Sequence, residues 1–442
     1  MIVNRDTDQF MTALLGFAAI VMLLALIMTK KASPVVALIG VPIIMALIGG
    51  FGGEIIAFMT TGIQEISTTG VMFIFAILFF GILTDAGTFK PIINKLLKMA
   101  GNDPAKIAVA TAVLAMLVHL DGSGAVTFLV VIPAMLPIYD ALKMRRTTLA
   151  MIVALAAGTM NIMPWGGPTI RAATALTVPV TELFNPLLIP VCTGLIGVLV
   201  ISFLAGKKER QPSLGVLLDG EFLENSTPAI AINPDERPKL LWFNYLMIIS
   251  AITVLVLGLV PPHIVFMVAF VVAISVNYPN LQDQRKRIDA NAQAAILMAS
   301  ILFAAGCFIG ILKGSGMIEA MAQVAVNTIP VGVGSHLPVL VGTLSMPASL
   351  LFDPDSFYFG VLPVLATTAE QFNVAGIEVG RAAILGQMTT GFPVSPLTGS
   401  TYLLIGLTGI DLGAHQKRTI PYAFGLTMLM LLVSVLIGVI SF

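Results

Sequence analysis

The sequence predicts an all-α polytopic membrane protein built from two repeats of opposite membrane topology. Hydrophobic residues make up 57% of the chain and charged residues only 10%, whereas a soluble domain carries about 25% charged residues. About ten apolar runs approach the roughly 20 residues that a spanning helix needs. Related motifs recur about 230 positions apart. We therefore expect about ten spanning helices, with two re-entrant hairpins and two broken helices.

Composition also narrows the possible functions. The formal net charge is zero and the isoelectric point lies near 6.9, so nothing indicates a nucleic-acid partner. The zinc-protease motif, the serine-hydrolase motif and the phosphate loop are absent. Without an ATP-binding motif, an ion gradient is the expected energy source. The sequence thus predicts a secondary transporter without a cofactor, and an intramembrane hydrolase using Asp121 and Asp353 is the alternative from another class.

The distribution of basic residues predicts the topology, because cytoplasmic loops attract Lys and Arg. If the N-terminus is outside and two further apolar segments enter and leave on one side, 19 of the 23 Lys and Arg residues are cytoplasmic. The C-terminus is then outside as well. The predicted spanning runs are 10–29, 33–51, 71–88, 147–178, 186–206, 242–260, 262–279, 295–313, 382–410 and 420–441.

The two further segments, 105–142 and 336–370, are predicted to be re-entrant hairpins with polar tips. The first tip is L-D-G-S-G (120–124) and the second is F-D-P-D-S (352–356). A polar turn at membrane depth is tolerated only where protein or a water-filled cavity satisfies its backbone. The first hairpin is expected to enter from the cytoplasm. The second is expected to enter from outside, because its surroundings lack Lys and Arg.

The chain is predicted to divide into a first repeat (1–206), a cytoplasmic linker (207–240) and a second repeat (241–442). The first helix would run inward and the helix at 242 outward. Inverted repeats are typical of transporters, whose sites form at interrupted helices near the bilayer midplane. The matching positions are Gly81–Leu83 with Gly310–Leu312, Gly87 with Gly316, Asp121 with Asp353, Pro164 with Pro393, and Thr169 with Thr398.

Two of the long apolar runs, 147–178 and 382–410, are interrupted. The interruptions read M-N-I-M-P-W-G-G-P-T-I-R (160–171) and T-T-G-F-P-V-S-P-L-T-G-S-T (389–401). Proline removes a backbone donor and glycine disfavours helix, so each helix is expected to unwind there. Freed carbonyls can bind cations, and a new helix N-terminus can hold an anion. A packed kink is the alternative, but the recurrence and the Asn, Ser and Thr residues favour a binding site.

Ionisable side chains in these segments are the candidates for chemistry, because a charge inside a membrane is costly. Arg171 could clasp a substrate carboxylate with two parallel hydrogen bonds, or pair with a structural carboxylate. Asp121, Asp353 and Asp355 could bind a divalent cation, which prefers oxygen ligands. They could instead exchange a proton or cap the hairpin helices. His119 could relay protons or simply form a structural hydrogen bond.

Three motifs carry a resemblance to a known family. They are G-T-M-N-I-M-P-W-G-G-P-T-I-R (158–171), L-F-D-P-D-S-F-Y-F-G (351–360) and G-F-P-V-S-P-L-T-G-S-T-Y (391–402). With the polar-tipped hairpin before them, they resemble the bacterial citrate–divalent metal/proton symporters, the CitMHS family of the ion transporter superfamily, over nearly the whole chain. The chain is more distantly similar to the divalent-anion/sodium symporters. Those have Ser-Asn-Thr at each tip, where this chain has added carboxylates that suit a metal or a proton.

The resemblance implies import of citrate complexed with a divalent metal such as Mg²⁺ or Ca²⁺, coupled to protons. The metal would be a co-substrate, and the protein a homodimeric elevator in the bacterial inner membrane. A sodium-coupled carrier of free di- or tricarboxylates or another anion is the alternative. The resemblance assigns metal or proton binding to Asp121, Asp353 and Asp355. With Arg171 from the residue argument, the substrate-binding candidates are Ser123, Gly124, Asn161, Gly166, Gly167, Pro168, Thr169, Arg171, Ser356, Ser395, Pro396, Thr398, Gly399, Ser400 and Thr401.

Overall fold

The fold is entirely helical in the part of the chain that the computed structural model describes, with no strand there. Seven helices in that part are long and apolar enough to cross a membrane. The predicted all-α polytopic fold is therefore confirmed, while the exact number of spans stays a prediction. The structure describes residues 2–91, 95, 101, 103–209 and 236–442, and for 2–8, 28, 121, 256 and 331 only the backbone.

The helices of both halves follow the predicted apolar runs. Most of the linker, 210–235, lies outside the described residues. In the first half the helices are α1 (Ile2–Met28), α2 (Pro34–Ile48), α3 (Ile55–Asp85), α4 (Pro104–Val118), α5 (Gly124–Ala141), α6 (Arg146–Met160), α7 (Gly167–Leu176), α8 (Val180–Phe184) and α9 (Leu188–Lys208). In the second half they are α10 (Leu241–Val256), α11 (Pro262–Asn277), α12 (Leu281–Gly314), α13 (Met317–Thr328), α14 (Val331–Gly334), α15 (Leu337–Ala348), α16 (Leu362–Gln371), α17 (Gly376–Ile384), α18 (Gly399–Thr408) and α19 (Leu412–Leu436).

Two helices, α3 and α12, begin at least 14 residues earlier than the hydrophobic pattern indicates. Helix α3 starts at Ile55 rather than at 71, and α12 starts at Leu281 rather than at 295. The early part of α3 is polar, yet its hydroxyls bond back to their own helix: Thr60 Oγ1 donates to the Ile56 carbonyl at 2.7 Å. Because such bonds satisfy the polar side chains locally, a helix can extend through sequence that a hydropathy window excludes.

Helices α3 and α12 cross at very short range, and glycine makes this possible. A Cβ atom added to Gly62 would lie 2.0 Å from the Gly306 carbonyl oxygen, and one added to Gly310 would lie 2.3 Å from the Phe58 carbonyl oxygen. Small residues that let backbones approach are typical of helix packing in membranes. This crossing forms the centre of a first helix group. In this group α11 and α12 pack on α3, and α2 packs on α12.

A second helix group contains the hairpins and the broken helices. Helix α9 packs on α4 and α19, and α15 packs on α17 and α19. The two groups meet where α7 lies against α3 and α12. Within the second group, each broken helix contacts the hairpin of the other half. Helix α7 packs on the second hairpin, and α18 packs on the first. These contacts bring interruptions from both halves to one place.

The first hairpin turns in three steps: α4, a single 3₁₀ turn (His119–Asp121), and α5. Gly122 takes the left-handed conformation (φ +74°) that ends the 3₁₀ turn, and the Ser123 side chain caps α5 by accepting from the Val126 amide. The second hairpin consists of α15, a π-helical turn (Ser356–Val361) and α16. The predicted hairpins at 105–142 and 336–370 thus correspond to helix–turn–helix units at 104–141 and 337–371. Their re-entry into the membrane stays a prediction.

The two predicted breaks are also observed, between α6 and α7 and between α17 and α18. Corresponding ends in the two halves share unusual backbone conformations. Gly87 and Gly316 have φ of +74° and +72°, and Thr177 and Gly409, which follow α7 and α18, have φ of +54° and +66°. These pairs lie at the offset predicted for the repeat. The inverted orientation and the 1–206/241–442 boundaries stay predictions.

Candidate functional site

All four interruptions converge in the second helix group. The Trp165 indole of the first break donates to the Leu120 carbonyl at the first tip (2.8 Å). The Asn161 amide donates across to the Met388 carbonyl of the second break (2.9 Å). A Cβ on Gly124 would lie 2.8 Å from the Phe392 ring, so the first tip also contacts the second break. Residues more than 200 positions apart therefore enclose one region.

Arg171 and Asp355 form the charged centre of this region. The Arg171 Nε donates to Asp355 Oδ1 at 2.7 Å, and each side chain is about 7% exposed. This bond connects α7 with the second hairpin. The end of the guanidinium lies against the first turn of α7, because a Cβ on Gly167 would be 2.9 Å from Nη1. The one described contact of Nη2 is long, 3.8 Å to the Met298 sulfur.

Asp353 serves as a cap for the helix that follows the second tip. Its Oδ1 accepts from the amides of Asp355 (3.0 Å) and Ser356 (3.1 Å), and its Oδ2 accepts from the Ser356 hydroxyl. An N-cap carboxylate satisfies orphan backbone donors and interacts well with the helix dipole. Of the alternatives left open for Asp353, the geometry favours capping. The side chain of Asp121 lies outside the described residues, so its role stays a prediction.

Helices α7 and α18 both begin at this region, and no side chain caps either N-terminus. The residue before α7 is Gly166, and Pro168 in its first turn has no amide hydrogen. At α18, the Thr398 hydroxyl donates to the Phe392 carbonyl instead of accepting from the helix (2.9 Å). Each N-terminus carries a partial positive charge of about half a unit, which attracts anions. Two such termini and Arg171 supply positive charge to a region that also holds the carboxylates of Asp353 and Asp355.

His119 lies at the first tip in a fixed tautomer. The Thr127 hydroxyl has one hydrogen, which it donates to the Ser123 carbonyl at 2.8 Å. The 2.8 Å bond between Thr127 Oγ1 and His119 Nδ1 therefore requires the imidazole to donate. The other nitrogen, Nε2, is buried and has no hydrogen-bond partner of good geometry in the described part of the chain. His119 thus has the structural hydrogen bond of the simpler prediction and also presents a bare acceptor.

A polar network that the sequence did not indicate joins the second tip to the second break. The Ser349 hydroxyl donates to Gln387 Oε1 (2.8 Å) and accepts from the Met388 amide (2.8 Å). The Tyr358 hydroxyl donates to the Gln387 carbonyl at 2.7 Å. Met388 has a positive φ of +51°, which is strained for a residue with a side chain. A lone Gln in an apolar run was the available signal for this network.

Most predicted hydroxyls bond to the unwound backbone. Thr169 Oγ1 donates to the Ile162 carbonyl at 2.8 Å, Ser395 Oγ to the Ser349 carbonyl at 2.5 Å, and Thr401 Oγ1 to the Phe392 carbonyl at 3.0 Å. These bonds hold the breaks open by satisfying their carbonyls. The Ser400 hydroxyl lies near the first tip, 3.5 Å from a Cβ on Gly124. The remaining candidates, Gly166, Gly167, Pro168, Pro396 and Gly399, lie in the breaks or in the first turns of α7 and α18.

Comparison with known proteins shows the family of this chain. The model of the citrate transporter family, CitMHS, matches residues 11–391. The chain belongs to the citrate transporter family. It is 45% identical to a citrate transporter of Bacillus subtilis strain 168 over 98% of this chain and 100% of that protein. It is also 42% identical to the Mg²⁺/citrate complex secondary transporter of the same organism, over 98% of this chain and 99% of that protein.

A solved structure shares the fold. The YdaH transporter of Alcanivorax borkumensis is 14% identical in sequence and superposes with a TM-score of 0.59, covering 88% of this chain and 90% of that chain. At such low identity the likeness concerns the fold alone. Together with the family, it confirms the expectation of a multi-pass membrane transport protein rather than an enzyme. The resemblance drawn from the three motifs is confirmed by the family match.

Proposed function

We propose that this protein is a secondary transporter that imports citrate as a complex with a divalent metal ion, together with protons. Membership of the citrate transporter family supports the citrate part, and the 42% identical Mg²⁺/citrate relative supports the metal. The observation that carries the proposal is the convergence of Arg171 with two uncapped helix N-termini at the meeting point of four interruptions. Such a region suits a ligand with several carboxylates.

Arg171 would hold a citrate carboxylate through the outer edge of its guanidinium. Its Nε donates to Asp355 (2.7 Å), so Asp355 fixes the plane of the guanidinium. The Nη1–Nη2 edge then lies on the side of Gly167 and Met298. An edge of this kind matches the two oxygens of a carboxylate. A second carboxylate would lie at the N-terminus of α18 near Ser400. Asp355 is then a positioning residue, and the salt bridge assists binding instead of competing with it.

The metal ion would enter as part of the substrate, with citrate as its principal ligand. Among the described residues no group of three or more His, Cys, Asp and Glu side chains could hold a metal ion. Mg²⁺ prefers oxygen ligands, keeps several waters and uses few protein carboxylates. Asp121, at the first tip, is the protein carboxylate we propose for the metal or the coupled proton.

Transport would proceed by movement of the second helix group against the first. We propose that the protein acts as a homodimer in the bacterial inner membrane, with both termini outside. The fixed contact of α3 with α12 supports a rigid first group, since the backbones touch at Gly62 and Gly310. The site residues, in contrast, belong to the second group almost entirely, and they would move together.

The test is uptake of labelled citrate into proteoliposomes. We expect uptake to require both a divalent ion and an inward proton gradient, so that a chelator of divalent ions abolishes it. Uptake that is indifferent to the chelator contradicts the metal complex as the substrate. Uptake that needs sodium and is competed by succinate would instead favour a carrier of free di- or tricarboxylates.

Substitution of Arg171 by Lys tests the contact with citrate. Lysine keeps the charge but cannot bond Asp355 and still present a planar fork. A hydrogen bond to a charged group contributes about 1.5–3 kcal/mol, so we expect citrate affinity to fall about 10- to 150-fold. Arg146→Lys is the matched control, because Arg146 is paired with Asp140 at an exposed position. An unchanged affinity for Arg171→Lys would remove Arg171 from the site.

A further inference from the structure

A cavity of about 270 Å³, with both apolar and polar residues in its wall, lies beside the proposed site at the outer end of α7. It is bounded by α3, by the end of α7 and by the segment that joins α10 to α11. A sphere of this volume is about 8 Å across, with room for about nine waters at ~30 Å³ each. The predicted topology places this end of the protein outside the cell. The polar residues that line the cavity are Glu65, Thr68, Thr69, Thr174, Thr177 and His263.

The position of the cavity connects it with the central site. Thr174 lies three residues after Arg171 on α7, so the two side chains are neighbours on one face of the helix. Thr174 is 1% exposed, and its hydroxyl has no hydrogen-bond partner in the described part of the chain. A buried hydroxyl without a hydrogen-bond partner is energetically unfavourable. Because this hydroxyl has almost no accessible surface, a ligand in the cavity would supply the missing partner only after a local shift of Thr174.

The cavity also lies between the two helix groups. Glu65 and His263 belong to the first group, whereas Thr174 and Thr177 belong to the second. Movement of one group against the other would therefore change its size. The cavity lies one helical turn from Arg171 and opens at the outer end of α7. This is the position expected for an entrance to the central site.

Glu65 gives the lining of the cavity a negative charge. The described residues that line the cavity include Glu65 and no Lys or Arg. Lys313 lies 3.6 Å from Glu65, but both are partly exposed (48% and 35%), so the pair is loose and screened by solvent. Glu65 would repel a free tricarboxylate. In a metal–citrate complex the metal ion offsets two negative charges, so Glu65 repels the complex less than free citrate. The metal ion can also approach the Glu65 carboxylate.

We propose that this cavity is an entrance vestibule that selects metal-complexed over metal-free carboxylate, with Glu65 as the selecting residue. The inference rests on the proposed function for the identity of the substrate. The metal ion faces Glu65 while the carboxylates face Thr174 and, one turn further in, Arg171. The entrance therefore recognises the cation of the complex and the inner site recognises the anion.

The electrostatic part can be tested without citrate. In a chain without cysteines (Cys192→Ser, Cys307→Ala), Thr177→Cys places one thiol at the exposed rim. Membrane-impermeant methanethiosulfonate reagents carrying a trimethylammonium or a sulfonate group then report the local potential from outside. We expect Glu65→Gln to lower the cation-to-anion rate ratio about three- to tenfold, from one charge at about 8 Å. Lys313→Met should raise the ratio.

Glu319→Gln is the matched control. Glu319 is exposed at the start of α13 and does not line the cavity, so its removal should leave the ratio unchanged. A ratio that Glu65→Gln leaves unchanged overturns the inference, and so does a thiol that the reagents cannot reach from outside. If Thr177→Cys fails to fold, Thr68→Cys on the opposite wall replaces it.

Measurements of citrate uptake distinguish a failure of the vestibule proposal from a failure of the proposed transport function. With Mg²⁺-citrate as the substrate, we expect metal-free citrate to inhibit the Glu65→Gln protein about three- to tenfold more strongly than the parent, from the same single charge. Equal inhibition of the two proteins overturns the selecting role of Glu65. If neither protein takes up citrate, the proposed function fails, while the labelling ratio still decides whether the vestibule exists.

Discussion

The salt bridge between Arg171 and Asp355 gives the most direct test of how the site is built. The two atoms are 2.7 Å apart and each side chain is about 7% exposed, so neither charge has water as a substitute partner. Removing one member of a buried pair costs about 3–5 kcal/mol, because the other charge is left unpaired. We expect Arg171→Met or Asp355→Leu alone to lower the melting midpoint in detergent by about 3–5 °C.

The double variant separates stability from binding. Replacing a whole buried pair by apolar residues of similar size is often neutral, so Arg171→Met with Asp355→Leu should recover most of the lost midpoint. Binding should not recover, because the carboxylate clasp is gone. Melting by intrinsic fluorescence, with and without Mg²⁺-citrate, measures both quantities. The ligand should raise the midpoint of the parent and leave that of the double variant unchanged.

The reasoning is refuted by additive effects. If each single variant lowers the midpoint slightly and the double variant lowers it by the sum, the two groups do not interact. If the double variant is still stabilised by Mg²⁺-citrate as strongly as the parent, Arg171 is a structural partner of Asp355 and has no part in binding. Both results are measured on the same four proteins, which are the parent, the two single variants and the double variant.

Three further outcomes are expected. Gly310→Ala should lower the melting midpoint by an amount equivalent to about 1–3 kcal/mol, because its Cβ would lie 2.3 Å from the Phe58 carbonyl oxygen, whereas Gly406→Ala, with open space around it, should not. Asp353→Asn should keep transport if Asp353 is only a cap, since Asn caps well; loss of proton- or metal-dependent uptake would restore it to a coupling role. Burial disfavours the charge of Glu209, yet bonds from its Arg and Thr partners hold its pKa below the usual value. Its stabilisation is therefore present above the unfolded pKa of about 4.3 and lost as pH falls through the lower folded pKa. Glu209→Gln should lower the midpoint at pH 7 and match the parent only once the pH is below that folded pKa.

The helices, hairpins and breaks could be predicted from the sequence because, in a membrane, each is indicated by a short stretch of consecutive residues. Length and apolarity identify a helix that lipid must surround, and Lys and Arg mark one side. Polar residues in the middle of an apolar run, as at 120–124 and 389–401, have few explanations other than an unwound segment. The starts of α3 and α12 were missed because local side-chain bonds let a polar stretch stay helical.

The roles of single side chains were harder to predict. Asp353 and Asp355 are two positions apart in one tip, yet the first caps a helix and the second pairs with Arg171. Ser395, Thr398 and Thr401 were predicted to bind substrate, and each donates a hydrogen bond to a backbone carbonyl. Their part in binding stays a prediction. Composition indicates that hydroxyls are present, but the direction of each bond depends on the local path of the unwound chain.

The sequence by itself determined a polytopic, all-helical transport protein with four polar interruptions, since the bilayer restricts where polarity can occur. Only the tertiary structure decided which interruptions meet. Helix α7 of the first half packs on the second hairpin, and α18 packs on the first, so Arg171 finds its partner 184 positions away. The vestibule at Glu65 likewise exists only because α3, α7 and the start of α11 come together. Such partners follow from packing over long separations, which no local pattern of residues encodes.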